Sequence, residues 1–409
     1  MKHKKNGNET LDIIADFILR LYELSYIERW NDSPKPFQIT ELDKQAHKAI
    51  IVYLVAHFEE QKNTKIDWLY LIKGIIFEAL YRSVLTDIKP QVYYRIMAEK
   101  KNEIHRYVTK KLERELLLFD KSEFDDYFSS ENKLEKRIIK AAHFLSTYWE
   151  FEMIYSMGIR FYGIDEIRKN IEETIEDFFD LIGVERIYLK KKSFNFVDII
   201  GQLRFQKRWI QSPRVPVTTV LGHMFVVACL SFILSYKKEF CNKRIYNNFF
   251  AALFHDIPEV ATRDIVSPVK KEADLEKVIK NYEKEQVEER IIPLLPDFLH
   301  QEFKYLMGII DEKTFDEFSN RIIKNGKALR CEEINPSENR EEFSPIDGDL
   351  IKICDKIAAF TEASLSIHHG LKSRHLEEGM TSVYKKLKGS EYEPMLSAFL
   401  KKLELSESF

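Results

Sequence analysis

The sequence has few cysteines, which can form disulfide cross-links, and few glycines and prolines, which interrupt regular secondary structure. Its 409 residues include 4 cysteines, 13 glycines and 12 prolines, and no two of the cysteines have CxxC spacing. We therefore expect reduced, structural thiols in a cytosolic protein instead of disulfides. The scarcity of glycine and proline, together with abundant Leu, Ile, Lys and Glu, predicts a mostly helical chain.

The sequence also lacks a strong charge of one sign, a targeting segment and a membrane span. The net charge is −3 and the pI is about 6.5, so the chain lacks the excess positive charge that is typical of nucleic-acid-binding proteins. The basic start is followed by Asp12, Asp16 and Arg20 instead of an apolar signal region. The longest apolar run, Met224–Leu234, is far short of a membrane span. We expect a cytoplasmic protein that binds neither nucleic acid nor membrane.

What is present is a soluble composition with helical spacing. Apolar residues make up 44% of the chain and charged residues 32%, which fits a globular protein of two domains. From Leu11 onward apolar residues recur three or four positions apart, and no alternating strand is evident. We predict an all-α fold, with a long charged helix around Leu275–Ile292 and an irregular polar segment over Asp120–Asn132.

The two halves of the sequence resemble each other in four places. The pairs are IERWNDSP with QKRWIQSP, AHKAIIVYL with GHMFVVACL, FEALYRSVLTDIKPQV with FHDIPEVATRDIVSPV, and IKAAHFLSTYWE with IKICDKIAAFTE. They occur in the same order, and they align His47 with His223 and Asp87 with Asp264. The spacing is far longer than a solenoid repeat. We predict two tandem domains from an internal duplication, 1–190 and 191–409.

Potential catalytic and metal-binding residues are most concentrated in the stretch Leu253–Lys270, LFHDIPEVATRDIVSPVK. His255 stands beside Asp256, and Glu259 follows four residues after the histidine. If this stretch is helical, His255 and Glu259 share one face. Imidazole and carboxylate together suit a divalent cation, and a nearby carboxylate can handle the proton of a water molecule. A solvated helix start is the plain alternative.

The order His223, His255-Asp256, Asp355 resembles the HD-domain metal-dependent phosphohydrolases. The likeness extends to bacterial HD-type 5'-deoxynucleotidases, through Arg208-Trp209 fifteen residues before His223 and HDxxEVxTxDxxxPVK from His255 to Lys270. The resemblance covers about 195–405. It departs at Gly222 and Met224, where the family usually has Glu and Ser, and in a longer loop over 331–349.

The resemblance implies one divalent metal ion (Mn, Co, Mg, Fe or Zn) held by His223, His255, Asp256 and Asp355. Two imidazoles and two carboxylates from three helices also form a mixed nitrogen and oxygen site on chemical grounds. His223 alone reads more simply as a core histidine. Asp355 lies among apolar residues, where an unpaired carboxylate is costly, so a metal or cation partner is expected.

The same resemblance assigns roles around the metal. Glu259 is the acid/base or water-orienting group beside the catalytic Asp256, and Asp264 contacts the sugar hydroxyl. On their own, Glu259 reads as a surface residue and Asp264 as a helix cap or turn residue.

Three further residues are candidates for binding the substrate. Arg208 offers a forked donor for phosphate, against a surface ion pair as the alternative. Trp209 is expected either beside the nucleotide or in the core, and Lys270 is a candidate for neutralising phosphate charge.

The first half has lost this chemistry. Its residues at the four metal positions are His47, Glu78, Ala79 and His143, and Arg82 stands at the position of Glu259. A catalytically dead copy is the preferred interpretation. His47, Glu78 and His143 are competent ligand types, and Arg82 could instead hold an anionic ligand.

Taken together, the sequence predicts a metal-dependent phosphohydrolase acting on (deoxy)nucleoside 5'-monophosphates. One alternative is hydrolysis of nucleoside triphosphates or of cyclic or linked nucleotides. Another is a nucleotide-sensing or scaffold protein without turnover. We expect the two halves to pair within one chain, with a homo-oligomer as a further possibility.

Overall fold

Among the described residues, the first part of the chain contains eight α-helices. The computed structural model describes residues 2–130, 133–265, 275–311 and 315–405. The helices are α1 (Lys2–Glu23), α2 (Glu41–Glu60), α3 (Trp68–Leu85), α4 (Pro90–Lys111), α5 (Lys121–Ser129), α6 (Leu134–Ser156), α7 (Ile164–Glu176) and α8 (Ile182–Tyr188).

The second part is also mainly helical and, in its described residues, contains one β-hairpin. Its helices are α9 (Lys192–Gly201), α10 (Val220–Lys237), α11 (Asn242–Phe254), α12 (Glu259–Thr262), α13 (Glu276–Gln286), α14 (His300–Leu306), α15 (Gly348–His368), α16 (Arg374–Leu387) and α17 (Glu393–Lys402). The strands β1 (Arg321–Lys324) and β2 (Lys327–Arg330) lie between α14 and α15.

The all-α prediction is confirmed, since the only strands among the described residues are β1 and β2. They pair antiparallel across Asn325-Gly326, two residues with φ of 51° and 73°. An Asn-Gly turn of this kind is the usual signal for a tight hairpin. The sequence analysis missed it because four-residue strands are too short to show an alternating pattern.

One local prediction was wrong and one was confirmed. The segment after Asp120 is helix α5, not irregular: Asp120 caps it by accepting a hydrogen bond from the Ser122 N–H at 3.0 Å, and Phe124 and Tyr127 are buried. The charged helix predicted around Leu275–Ile292 is confirmed, since α13 covers Glu276–Gln286 and the helix continues without a break to Ile291. Its last turn, Val287–Ile291, widens into a π-helical turn.

Helix α10 is the centre of the molecule. Thr219 caps its start by accepting from the Gly222 N–H at 3.1 Å, and the following residues to Ser235 are buried. The helix is apolar enough to cross a membrane by length and composition, but 89% of its 18 residues are buried inside the protein. Packing against other helices therefore accounts for its composition.

The buried core is continuous across the predicted domain boundary at 190. Helix α10 packs on α2 and on α1, and α1 packs on α17. The Tyr22 hydroxyl donates to the Ala358 carbonyl at 3.1 Å, and the ring of Tyr53 lies 4.9 Å from that of Phe250. The division into 1–190 and 191–409 stays a prediction, as does the duplication.

Deleting residues 1–190 is expected to leave the remaining chain aggregated or inactive. The deletion removes α1 and α2, which cover the apolar surface of α10, and exposed apolar surface favours association. Size-exclusion chromatography and phosphate release of the 191–409 fragment are the measurements. A monomeric, fully active fragment would show that the first segment gives no support.

Candidate metal centre

His223 is held between two carboxylates inside the core. It lies in the first turn and a half of α10 and is fully buried. Its Nδ1 is 3.2 Å from Glu362 Oε1, and its Nε2 is 3.0 Å from Asp355 Oδ1. Both carboxylates come from α15. A carboxylate on Nδ1 fixes the ring so that Nε2 is presented for coordination.

His255 and Asp256 occupy the turn that follows α11. The helix ends at Phe254, and 255–258 form a turn before α12. His255 Nδ1 is 2.7 Å from the Ala252 carbonyl oxygen, to which it donates. Its buried Nε2 has no hydrogen-bond partner of good geometry among the described residues, and it lies 3.2 Å from Asp256 Oδ2.

These side chains fit one divalent cation. The ligand atoms of His223, His255 and Asp256 all lie within 4.8 Å of one another. Asp355 stands beside this compact group, with its Oδ1 3.0 Å from His223 Nε2. Ligands bonded to one octahedral ion are about 3 Å apart. The spacing and the orphaned His255 Nε2 therefore suit an ion held by these four residues.

The electrostatics of the centre favour a cation. Burial would lower the pKa of His255, but the Asp256 and Asp355 carboxylates outweigh it and raise that pKa to about 9. Burial would raise the pKa of Asp256, yet His255, Arg208 and His223 hold it well below its usual range. The carboxylates thus stay ionised and attract positive charge, whether a proton or a metal ion.

Glu362 is the functional residue that the sequence analysis missed. Its fully buried carboxylate accepts from Trp209 Nε1 at 2.8 Å, Arg208 Nε at 3.2 Å and Arg214 Nη1 at 3.3 Å, and it also contacts His223. It follows Asp355 by seven residues, two turns along the same face of α15. The signal was present, since the matched segments IKICDKIAAFTE and IKAAHFLSTYWE both end in glutamate.

Replacing Glu362 with glutamine should lower the free energy of unfolding by about 3–5 kcal/mol, because two buried guanidiniums lose their counter-charge. It should also weaken metal binding about 10–100-fold, as expected when a carboxylate behind a ligating histidine is lost. Urea unfolding and metal titration measure the two effects.

The matched control is Glu150→Gln in the first segment. Glu150 is also fully buried, and it accepts from Arg29, Trp30 and Arg204. We expect a similar loss of stability with unchanged metal affinity. Equal effects of the two substitutions on metal affinity would show that Glu362 acts only through stability.

Arg208 and Trp209 lie beside the metal ligands. The Arg208 side chain is 12% exposed, and its Nη1 is 3.5 Å from Asp256 Oδ2, so it is not a surface ion pair. Trp209 adopts a left-handed backbone with φ of 56°, and its ring lies so close to Gly379 on α16 that a Cβ there would clash. The ring thus packs against α16, and contact with a nucleotide stays a prediction.

Among the remaining candidate residues, Glu259 is the first residue of α12 and is buried, so the alternative that it is a surface residue is excluded. Asp264 is half-buried, and its charge helps to raise the pKa of Arg208, which places it near that guanidinium. Lys270 lies outside the described residues. The roles assigned to Glu259, Asp264 and Lys270 stay predictions.

A comparison with protein families matches residues 200–384 to the model described as "HD domain". That span contains all four proposed ligands in the expected order. Residues 200–384 are an HD domain. The match, with the relatives below, supports membership of the HD phosphohydrolase superfamily.

Two kinds of curated relative resemble the chain. The 4'-phosphooxetanocin A phosphatase of Priestia megaterium is 34% identical over 105 residues, 25% of this chain and 54% of that protein. The chain thus spans about half the length of that relative. A 5'-deoxynucleotidase of Yersinia pestis (strain Pestoides F) is 28% identical over 158 residues, 36% of this chain and 76% of that protein.

The departure from the HD family pattern at Gly222 lies on the contact between α10 and α2. A Cβ on Gly222 would be 3.0 Å from Asp43 Oδ1 and from Leu42 Cδ2, closer than side chains normally pack. Met224 is fully buried in the core. A glutamate at 222 would put charge into this contact, so the departure at Gly222 follows from packing between the two parts of the chain.

The first segment repeats the frame that surrounds the HD ligands. Trp30 also has φ of 56°, and its Nε1 donates to Glu150 Oε2 at 3.1 Å, as Trp209 donates to Glu362. Thr40 caps α2 as Thr219 caps α10. This shared frame supports the proposed duplication.

The alignment of His47 with His223 was wrong. The residue four positions after each capping threonine is Lys44 in α2 and His223 in α10. Lys44 Nζ is 3.1 Å from His143 Nε2, just as His223 Nε2 is 3.0 Å from Asp355 Oδ1. His47 instead contacts the Val197 carbonyl at 2.9 Å and Arg204 at 3.0 Å, so it is a core histidine.

Proposed function

We propose that the second segment, 191–409, is a metal-dependent phosphohydrolase that releases phosphate from (deoxy)nucleoside 5'-monophosphates. The observation that carries the proposal is the pair of imidazoles whose Nδ1 atoms are engaged while both Nε2 atoms face Asp256 and Asp355. The substrate class comes from the names of the relatives, a 5'-deoxynucleotidase and a phosphatase of a phosphorylated oxetanocin.

His223, His255, Asp256 and Asp355 would hold one divalent ion. When bound, such an ion polarises a phosphoryl group and activates water as a nucleophile. Glu362 holds the His223 ring in orientation through its contact with Nδ1, and its own carboxylate is fully buried away from water. The identity of the metal is left open among Mn, Co, Mg, Fe and Zn.

Phosphate binding, proton transfer and substrate positioning would fall to other side chains of the protein. Arg208, beside Asp256, would bind the phosphoryl oxygens through its guanidinium. Glu259, buried one turn after His255, would take a proton from the attacking water and return one to the leaving oxygen. Asp264 would contact the sugar hydroxyl of the substrate. Trp209 would help to fix the position of Arg208, because both side chains donate hydrogen bonds to Glu362.

The first segment, 1–190, would be a catalytically dead copy that supports the active one. Ala79 and Arg82 stand where the HD domain has Asp256 and Glu259. The fused copy would take the place of a second subunit, which makes the contact independent of protein concentration. We also propose a cytoplasmic location.

A phosphate-release screen tests the proposed function and its alternatives. The full-length protein would be assayed with each candidate metal against deoxynucleoside and nucleoside 5'-monophosphates, triphosphates and cyclic nucleotides. Preference for 5'-monophosphates is expected. Turnover confined to triphosphates or cyclic nucleotides would move the proposal to those substrates, and no turnover with any metal would favour a sensing role.

A further inference from the structure

One of the four metal-ligand positions of the HD domain is a lysine in the first segment, and a second lysine lies one turn away from it. Lys44 stands at the place of His223, and Lys48 follows one turn later on α2. Lys48 Nζ is 2.9 Å from Glu78 Oε2, and Glu78 stands at the place of His255. Both lysines are buried. We name Lys44, Lys48, Glu78, Arg82 and His143 the lysine cluster.

The lysine cluster has the wrong donors for a metal ion. A protonated lysine offers hydrogens and no lone pair, and Ala79 removes the carboxylate that Asp256 provides in the HD domain. His143 faces Lys44. Burial and then the charges of Lys44 and Lys48 hold the pKa of His143 well below its usual range, so it is neutral and adds no positive charge.

Lys44 is a buried amine without a carboxylate in contact, and burial together with the Arg29 charge holds its pKa well below its usual range. Its hydrogen-bond partner is the neutral His143, and no carboxylate oxygen of the described residues lies within 4.0 Å of its Nζ. The buried Glu41 and Glu150 carboxylates act on Lys44 only from beyond contact distance, so an anion bound at Nζ would supply the counter-charge that the protonated amine needs. Arg82 is also loosely held, since its nearest carboxylates, Glu41 and Asp87, are both 3.5 Å away.

The cluster also opens to solvent at one side. The side chains of Glu78 and Arg82 are 26% and 21% exposed, and His143 is half-buried. The Asp256 and Asp355 side chains of the HD domain are 18% and 28% exposed. The exposed fractions of Glu78 and Arg82 are thus similar to those of the metal ligands, and within the cluster three basic side chains, Lys44, Lys48 and Arg82, stand against the one carboxylate of Glu78.

We infer that the lysine cluster is a second ligand site, which binds a phosphate-bearing small molecule without hydrolysing it. The Lys44 ammonium and the Arg82 guanidinium would donate to the phosphate oxygens. Nothing at the cluster could activate water, because Arg82 replaces the acid/base glutamate. This inference does not depend on the proposed hydrolysis in the second segment.

The test is calorimetric titration of inorganic phosphate into the metal-free full-length chain carrying Asp256→Ala. One phosphate per chain is expected. Lys44→Met and Arg82→Gln in that background should each weaken binding about tenfold or more. Methionine matches the lysine stem and removes a buried charge, so Lys44→Met should fold, which urea unfolding checks. Arg82 is partly exposed and gives an independent variant.

The matched control is Lys73→Met in the same background, which removes another buried lysine of the first segment, paired with Glu123 at 2.6 Å, and should leave phosphate binding unchanged. Loss of binding in Arg208→Lys, made in that background, but not in Lys44→Met would assign the phosphate to the second segment and overturn the inference. Absence of binding by the parent chain at millimolar phosphate would overturn it as well. Phosphate release by the wild-type chain is a separate readout, so either result leaves the hydrolase proposal standing.

Discussion

Asp256→Ala is expected to abolish phosphate release and leave the chain folded. The Asp256 carboxylate is the group within reach of both His255, at 3.2 Å, and Arg208, at 3.5 Å. Its loss removes a proposed ligand and the charge that balances these cations. Metal ions supply several kcal/mol of transition-state stabilisation, so the rate should fall by roughly 10³-fold or more.

The fold should survive because Asp256 lies in the turn after α11 with its side chain 18% exposed, and its partners Arg208, His223 and His255 each keep another hydrogen bond. Circular dichroism and urea unfolding check this point. Chelation of the wild-type protein provides the control: it should remove activity, and added metal should restore it. Restored activity in Asp256→Ala with excess metal would show that Asp256 only tightens metal binding and is not needed for turnover.

Glu259→Gln and Arg208→Ala are expected to separate chemistry from binding. Loss of a general acid/base lowers kcat by roughly 10²–10⁴-fold, and Glu259 is buried at the start of α12 next to the ligand turn. Arg208→Ala should chiefly raise KM if the arginine holds the phosphate equally in the ground and transition states. Steady-state kinetics of both variants give the two values.

Arg208 also pairs with Glu362 at 3.2 Å, so its removal will cost stability. Arg29→Ala is the matched control, because Arg29 pairs with Glu150 at 2.8 Å in the same frame of the first segment. It should lower stability to a similar degree without raising KM. A KM that rises equally in both variants would assign the Arg208 effect to stability, and wild-type kinetics for Glu259→Gln would remove its assigned role.

The fold class could be predicted from sequence because helical spacing and scarce glycine and proline act along the whole chain. Local errors arose where the signal was short. The sequence of Asp120–Asn132 is mostly polar, so the prediction overlooked the two aromatic residues that α5 buries, Phe124 and Tyr127. The hairpin depended on one Asn-Gly pair between strands of four residues.

The candidate ligands could be predicted from sequence because their residue types and spacing carry chemistry directly. The wrong alignment of His47 has a physical cause. A shift of three residues along an α-helix keeps nearly the same face, so the apolar pattern of α2 fits α10 in more than one register. Thr40 and Thr219, which cap the two helices, fix the register and point to Lys44.

Glu362 escaped prediction for a different reason. A glutamate inside a helical pattern usually lies on the solvated face, and nothing in its immediate neighbours signals full burial. Only the structure brings Arg208, Arg214 and His223 to the same carboxylate. The second layer of the site therefore depends on long-range packing that local sequence does not encode.

The most direct test measures metal content and phosphate release on the same preparations of wild-type, Asp256→Ala and His143→Ala protein. His143 stands at the place of Asp355 in the first segment. The account predicts one divalent ion per chain and full turnover for wild-type and His143→Ala, and neither for Asp256→Ala. Two ions per chain in the wild type, with one lost in His143→Ala, would contradict it, as would unchanged turnover in metal-free Asp256→Ala.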